Sequence, residues 1–199
     1  FTANNSDATL AENMAVLGLL LDNTGGSGSD VQIGANTLTV ESGLILSTGS
    51  ADNQIVGGAG SGITFGPNEE TGFEGRIHGV RRIDINAPIV DNTAGGITNA
   101  VSLTTDGTIV INTIATYSGD TVINSGLLQT GTGNNRLPTN TVITVNGNAR
   151  LQLNIRDQTI GGLQGIGFVE NENTSSPAND SILTIDVTNA ASSYTFMGT

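Results

Sequence analysis

The densest group of side chains able to do chemistry is Glu74-Gly75-Arg76-Ile77-His78-Gly79-Val80-Arg81-Arg82, which holds the one histidine of the chain, with Glu69-Glu70 close by. If Ile77 faces a core, alternation along a strand puts Arg76 and His78 together on its outward face. Such a face suits a ligand-binding groove or a solvated set of ion pairs. The second reading requires nothing beyond exposed charge.

Lyase or glycosidase chemistry on a repetitive β scaffold needs carboxylates gathered on one face, as acid and base or as holders of a calcium ion beside a base. Asp84, Asp106, Asp120 and Asp186 are the acids that stacking strands would bring together, yet most acids of the chain stand singly beside Gly or Asn at expected turns. Calcium has its own sequence form. Gly25-Gly26-Ser27-Gly28-Ser29-Asp30 fits the first six places of the G-G-x-G-x-D-x-U-x nonapeptide, but Gln32 occupies the apolar eighth place. Gly57-Gly58-Ala59-Gly60-Ser61-Gly62-Ile63-Thr64-Phe65 carries Gly62 where the ligand Asp belongs, and the two runs start 32 residues apart, whereas calcium turns must be tandem. Asn112, Asn124, Asn146 and Asn154 suit turns, or hydrogen-bonded ladders between stacked units. No catalytic, cofactor-binding or metal-ligating residue is assigned, and the chain is read as a non-enzyme.

Composition narrows the partners. The 199 residues carry a formal charge of −12, and all six basic residues are arginine. That balance argues against nucleic acid, whose affinity depends on neutralising phosphates. Without Lys there is no Schiff-base chemistry, no Walker-type phosphate binding and no Lys-to-Asn isopeptide crosslink. Without Cys there are no disulfides or thiolate metal sites, which fits export. No apolar run approaches the ~20 residues that span a bilayer, so no transmembrane segment is expected. The chain opens at Phe1 with neither an initiator Met nor a basic leader, and reads as a piece of something longer.

The elements that must position these residues are short strands. Val31, Ile33, Leu38, Val40, Leu44 and Leu46 alternate with polar residues, and so do Ile83 and Ile85, Ile109 and Ile111, and the run 142–145. Residues 8–12 suggest a helical turn behind a Ser6-Asp7 cap, and the apolar run from Val16 to Leu21 reads as one buried strand ended by a turn at residues 22–26. Pro88 belongs at a strand start, corner or bulge, because it cannot donate to a ladder. With few aromatics and no Trp, the core must be layered from Val, Ile and Leu. All this predicts an all-β fold, a right-handed parallel β-helix; at ~22 residues per coil it has roughly nine coils. With ~4.8 Å between stacked strands the rod is about 40 to 45 Å long.

The second half carries a resemblance. Ala115-Thr116-Tyr117-Ser118-Gly119-Asp120-Thr121-Val122-Ile123-Asn124-Ser125-Gly126-Leu127-Leu128 is similar to the N-T-Y-[ST]-G-x-T-x-[IV]-x-x-G-x-L core of the autotransporter-associated β-strand repeat, also called the passenger-associated transport repeat. Leu137-Pro138, residues 142–145, Gly147-Asn148-Ala149-Arg150-Leu151-Gln152-Leu153 and Gln158-Thr159-Ile160-Gly161-Gly162-Leu163-Gln164-Gly165 follow in the order of that family. Gly107-Thr108-Ile109-Val110-Ile111 lacks the usual Lys-Gly-Gly-x-Gly-Thr lead-in, which suggests a different turn at Asp106-Gly107. On this reading residues 1–199 are a single β-solenoid segment, with strand-rich coils over 1–111 and a family-like repeat over 112–199.

What the resemblance implies is a stalk, fibre or adhesin passenger of a secreted or cell-surface bacterial protein, extracellular or on the outer surface, without catalytic residues. The alternative is a glycan-binding or glycan-cleaving β-helix whose site lies along one outer face; a calcium-stiffened solenoid is a third reading. Expected partners are surface or matrix glycans and further copies of the chain. Because Tyr194-Thr195-Phe196-Met197-Gly198-Thr199 reads as an unfinished strand, the protein is expected to continue beyond Thr199 or to stack end to end.

Overall fold

The structure, a computed structural model, describes residues 2–4, 7–24, 30–67, 72–93, 101–171, 180–187 and 194–198. Among the described residues it is all-β, with no helix. The strands are β1 (Thr2–Asn4), β2 (Ala8–Thr9), β3 (Met14–Val16), β4 (Leu19–Asn23), β5 (Asp30–Gly34), β6 (Thr37–Val40), β7 (Leu44–Gly49), β8 (Asn53–Gly57) and β9 (Gly62–Phe65). They continue as β10 (Phe73–Asn86), β11 (Val101–Ile111), β12 (Thr121–Thr130), β13 (Val142–Val145), β14 (Arg150–Gln152), β15 (Gln158–Ile160), β16 (Gly162–Gly165), β17 (Phe168–Glu170) and β18 (Leu183–Ile185).

Every pairing between these strands is parallel, and the pairs form three ladders and one separate pair. The first runs β1–β4–β7–β10–β11–β12–β13–β16. The second runs β2–β5–β8–β10–β11–β12–β14–β17. β10, β11 and β12 are long enough to serve both, bending between them. The third ladder is β3–β6–β9, extended by a bridge from Ile63 to Ile89, and β15 pairs β18. Partners on the first ladder are not evenly spaced in sequence. They lie 26 residues apart for Leu20 and Leu46, 32 for Leu46 and His78, 28 for His78 and Asp106, 18 for Thr105 and Ile123 and 22 for Ile123 and Val145. A uniform 22-residue repeat is therefore replaced by passes of unequal length, whose pairing shifts register within β5–β8, β10–β11 and β11–β12.

The alternation read from sequence sets which side chains enter the core. On the first ladder Leu19, Ile45, Ile77, Thr105, Ile123 and Val145 follow one another in register and are all buried. On the second, Ile83, Ile109, Leu128 and Leu151 do the same. Each such side chain contributes about 1.5–3 kcal/mol of burial. Thr105 is the polar member of its column, and its Oγ1 has no hydrogen-bond partner.

Local expectations fare differently where a neighbouring pass intervenes. Residues 8–12 form no helical turn: Ala8 and Thr9 pair with Val31 and Gln32, and a stacked strand satisfies the backbone better than one isolated turn, whose nucleation is costly. The apolar run 16–21 is not one strand but the end of β3 and the start of β4, broken at Leu17-Gly18 where Leu17 is exposed. The next pass turns at the same place, its Glu41 and Ser42 amides donating to the Val16 and Leu17 carbonyls. At Asp106-Gly107 the chain makes no break; β11 bends through Gly107 and continues. Pro88 falls between the end of β10 and the Ile89 bridge, as its missing donor requires, and its carbonyl accepts the Ile63 amide.

The bend between the first and second ladders is built from glycine on three successive passes. Gly79, Gly107 and Gly126 are register partners, Gly107 and Gly126 with φ of 87° and 76°. A Cβ on Gly107 would lie 1.8 Å from the Gly79 carbonyl oxygen, and one on Gly126 would lie 2.3 Å from that of Gly107. Gly147 also has positive φ, 48°, but a Cβ there meets nothing within 4 Å.

Two outcomes follow from these columns. Gly107→Ala should cost at least ~2 kcal/mol more than Gly147→Ala in chemical denaturation, because only the first adds a backbone clash to the left-handed φ; equal costs would remove the stacked corner. Thr105→Val, close in shape and lacking the orphaned hydroxyl, should raise stability by about 1 kcal/mol, and a loss of that size would show the hydroxyl to be needed.

Candidate functional site

The charged cluster occupies the outer face of β10. Ile77 is fully buried while Arg76 and His78 are exposed, as alternation around Ile77 requires. Arg76 pairs with Glu74 at 3.2 Å, Glu74 also accepts from the Thr104 hydroxyl on the next pass, and Arg82 pairs with Asp84 at 2.8 Å. These pairs lie at the surface, where each is worth ~0–1 kcal/mol. Glu69-Glu70 lies outside the described residues. The face carries these two ion pairs, and Arg81 donates to the Gly49 carbonyl at 3.4 Å.

The four acids considered for stacking go to separate places. Asp84 lies on the second ladder, Asp106 at the bend of β11, Asp120 just before β12 and Asp186 after β18. Among the described residues no group of three or more His, Asp or Glu side chains is placed to hold a metal ion. Of the first glycine-rich run only Asp30 is described, and its Oδ2 accepts a hydrogen bond from Gln54 at 2.7 Å. The second run is the end of β8, a turn and β9.

The asparagines expected at turns or in ladders do both. Asn112 donates to Asn86 at 2.9 Å and Asn86 to Gln54 at 2.9 Å, so a file of side-chain amides runs from Asn112 to Asp30 along the second ladder. A second file sits at the bend, where Asn124 donates to Asp106 at 2.9 Å and Asn146 to Asn124 at 3.5 Å. Asn154 takes the left-handed conformation of a turn, with φ of 49°. Elsewhere a turn carboxamide or carboxylate accepts an amide from the next pass: Asn13 from Thr37, Asp91 from Ser118, Asn135 from Thr159 and Asp157 from Ile182, at 2.8 to 2.9 Å.

Inside the solenoid-like stack, Tyr117 is fully buried and shares a 2.6 Å hydrogen bond with Thr121, which shares another at 2.9 Å with Thr141. Burial pushes the Tyr117 phenol well above its ordinary value; the bond to Thr121 opposes this and the charge of Asp120 adds to it.

One groove was not singled out from the sequence. It lies on the outer face of the third ladder, has a volume of about 340 Å³, and is crossed by four passes through Asn13, Thr37, Thr39, Thr64, Val90 and Asp91 among others. Leu38 and Ile63 turn inward, so Thr39 and its register partner Thr64 turn outward. Thr64 is nonetheless only 3% exposed, and its Oγ1 has no hydrogen-bond partner within the protein. The sequence signal was present: Thr37-Leu38-Thr39 and Ile63-Thr64-Phe65 put threonine on the face opposite the apolar residues. What it lacked was the register that aligns them.

Among the described residues no helix is long and apolar enough to cross a membrane. Comparison with protein-family models, with curated proteins and with solved structures finds no match to this chain.

The buried phenol makes stability fall in alkali. The folded-state pKa of Tyr117 is raised, so its stabilising contribution is complete below the unfolded value near ~10 and drains away as pH climbs above it, by up to ~1.4 kcal/mol per pH unit. The chain has no Lys and no Cys, the other side-chain types that lose a proton between pH ~8 and ~11. Urea midpoints measured between pH 9 and 11.5 should decline for the native chain and stay flatter for Tyr117→Phe; parallel declines would mean that another group controls the alkaline limit.

Proposed function

We propose that this chain is a rigid spacer: a right-handed parallel β-helix of roughly nine coils, forming part of the stalk, fibre or adhesin passenger of a secreted or cell-surface bacterial protein. The observation that carries this reading is the pair of eight-strand parallel ladders that run along the chain. Strands that stack this way transmit load from backbone to backbone, and each pass is stiffened by the side-chain files that tie it to the next. The order of motifs from residue 115 onward supports an autotransporter-associated repeat. A chain free of Lys and Cys and strongly acidic suits an extracellular surface. Its work on this reading is done by shape rather than catalysis, and its partners are neighbouring coils, further copies stacked end to end, and surface or matrix glycans.

Because the chain has no cysteine, a pair can be introduced for spin labels. Asp52→Cys and Asn148→Cys sit near the same bend four passes apart, about 20 Å along the stack at ~4.8 Å per pass. Electron–electron double resonance should give one narrow distance near that value. A broad or multimodal distribution would overturn the rigid spacer.

A further inference from the structure

We propose that the groove on the outer face of the third ladder binds an uncharged oligosaccharide. The inference rests on the glycan partner named in the proposed function, for which it supplies a site and a ligand class, and is independent of the rigid-spacer role. The groove, about 340 Å³, falls at the small end of the range that holds specific ligands. Four passes cross it, from Asn13-Met14-Ala15 through Thr37 and Thr39, then Thr64, to residues 90–93, which spans roughly 14 Å at ~4.8 Å per pass. A trough of that shape fits a short linear oligomer better than one compact molecule.

Its chemistry selects the ligand class. The polar lining is chiefly threonine, and a hydroxyl both donates and accepts, which matches a ligand whose own hydroxyls do the same. Ala15, in register with Thr39, and Val90 supply apolar surface for the C–H faces of sugar rings. No Arg or His lines the groove, so nothing there compensates an anion. The titratable residue in the lining is Asp91, already engaged by the Ser118 amide.

Thr64 supplies the independent sign that a ligand belongs there. A buried hydroxyl without a partner costs about 1–3 kcal/mol. A column of valine or isoleucine would pack as well at this position on the sheet. Thr64 keeps its hydroxyl at the groove, where a sugar hydroxyl can pair with it.

The test is isothermal titration calorimetry of the whole chain against neutral di- to tetrasaccharides of the gluco-, manno-, galacto- and N-acetylglucosamine series. At least one should bind saturably at millimolar concentration or below. Thr64→Val should weaken it tenfold or more without lowering the melting temperature, Thr39→Val should weaken it as well, and Thr184→Val on β18 should leave it unchanged. The proposal is overturned if no member of the panel binds, if binding survives both Thr64→Val and Thr39→Val, or if an anionic sugar of the same backbone binds more tightly than its neutral form. Should Thr64→Val fail to fold, the Thr39→Val result decides. A negative panel alongside a narrow spin-label distance rejects the site and leaves the spacer standing.

Discussion

Successive passes of this chain touch backbone to backbone, and that contact governs what each position tolerates. At the bend between the first two ladders Gly107 lies against the Gly79 carbonyl and Gly126 against that of Gly107, too close for any side chain to intervene. Successive passes must therefore turn at the same height, and at Gly107 and Gly126 they do so with the same reversed φ. A side chain at one bend would push the next pass out of register, and the inward columns on either side of the bend would lose their alignment together. The long strands β10, β11 and β12 carry pairing on both sides of this corner, with a register shift beside it, between Gly79 and Ile83 against β11 and between Thr105 and Asp106 against β12.

A backbone so closely stacked leaves its corners with amides that no strand can satisfy, and here the Asn and Asp residues take over. Asn13, Asp91, Asn135 and Asp157 each accept an amide from the following pass. The amide file from Asn112 to Asp30 does the same work between strands, each carboxamide donating to the one before and accepting from the one after. The surface acids and amides that look in sequence like solubilising turn residues are thus also ties between passes. Asp30, Asp52 and Asp84 come together in one shallow pocket on the second ladder, where Asp30 is tied to Gln54 and Asp84 to Arg82.

Alternation made the inward columns legible, since Ile77, Ile83 and Ile85 announce their direction by period two alone, and Pro88 announces a break by its missing donor. What could not be read locally was anything decided by the pass above or below. Residues 8–12 carry helix-start signals yet lie flat against Val31 and Gln32. Leu17 belongs to an apolar run yet stands exposed, because the corner recurs at Ser42-Gly43. The unequal return distances, from 18 to 32 residues between first-ladder partners, are the general cause. With no constant period, the alignment of Thr39 with Thr64, and hence the groove, is visible only once the register is known.

The inner and outer faces of such a stack answer to different constraints. Inside, every departure from an aliphatic column is compensated or costly: Tyr117, Thr121 and Thr141 satisfy one another, while Thr105 is left with an idle hydroxyl. Outside, the fold asks only for residues that tolerate a pleated surface, so chemistry placed there is free of packing demands. Thr64 crosses that division. It lies on the outer side of its strand yet is as enclosed as a core residue, with a polar atom the fold does not use. A buried hydroxyl at Thr105 faces only core and is simply destabilising; the same atom at Thr64 faces a groove lined by other hydroxyls, and there its cost has an outlet in a ligand.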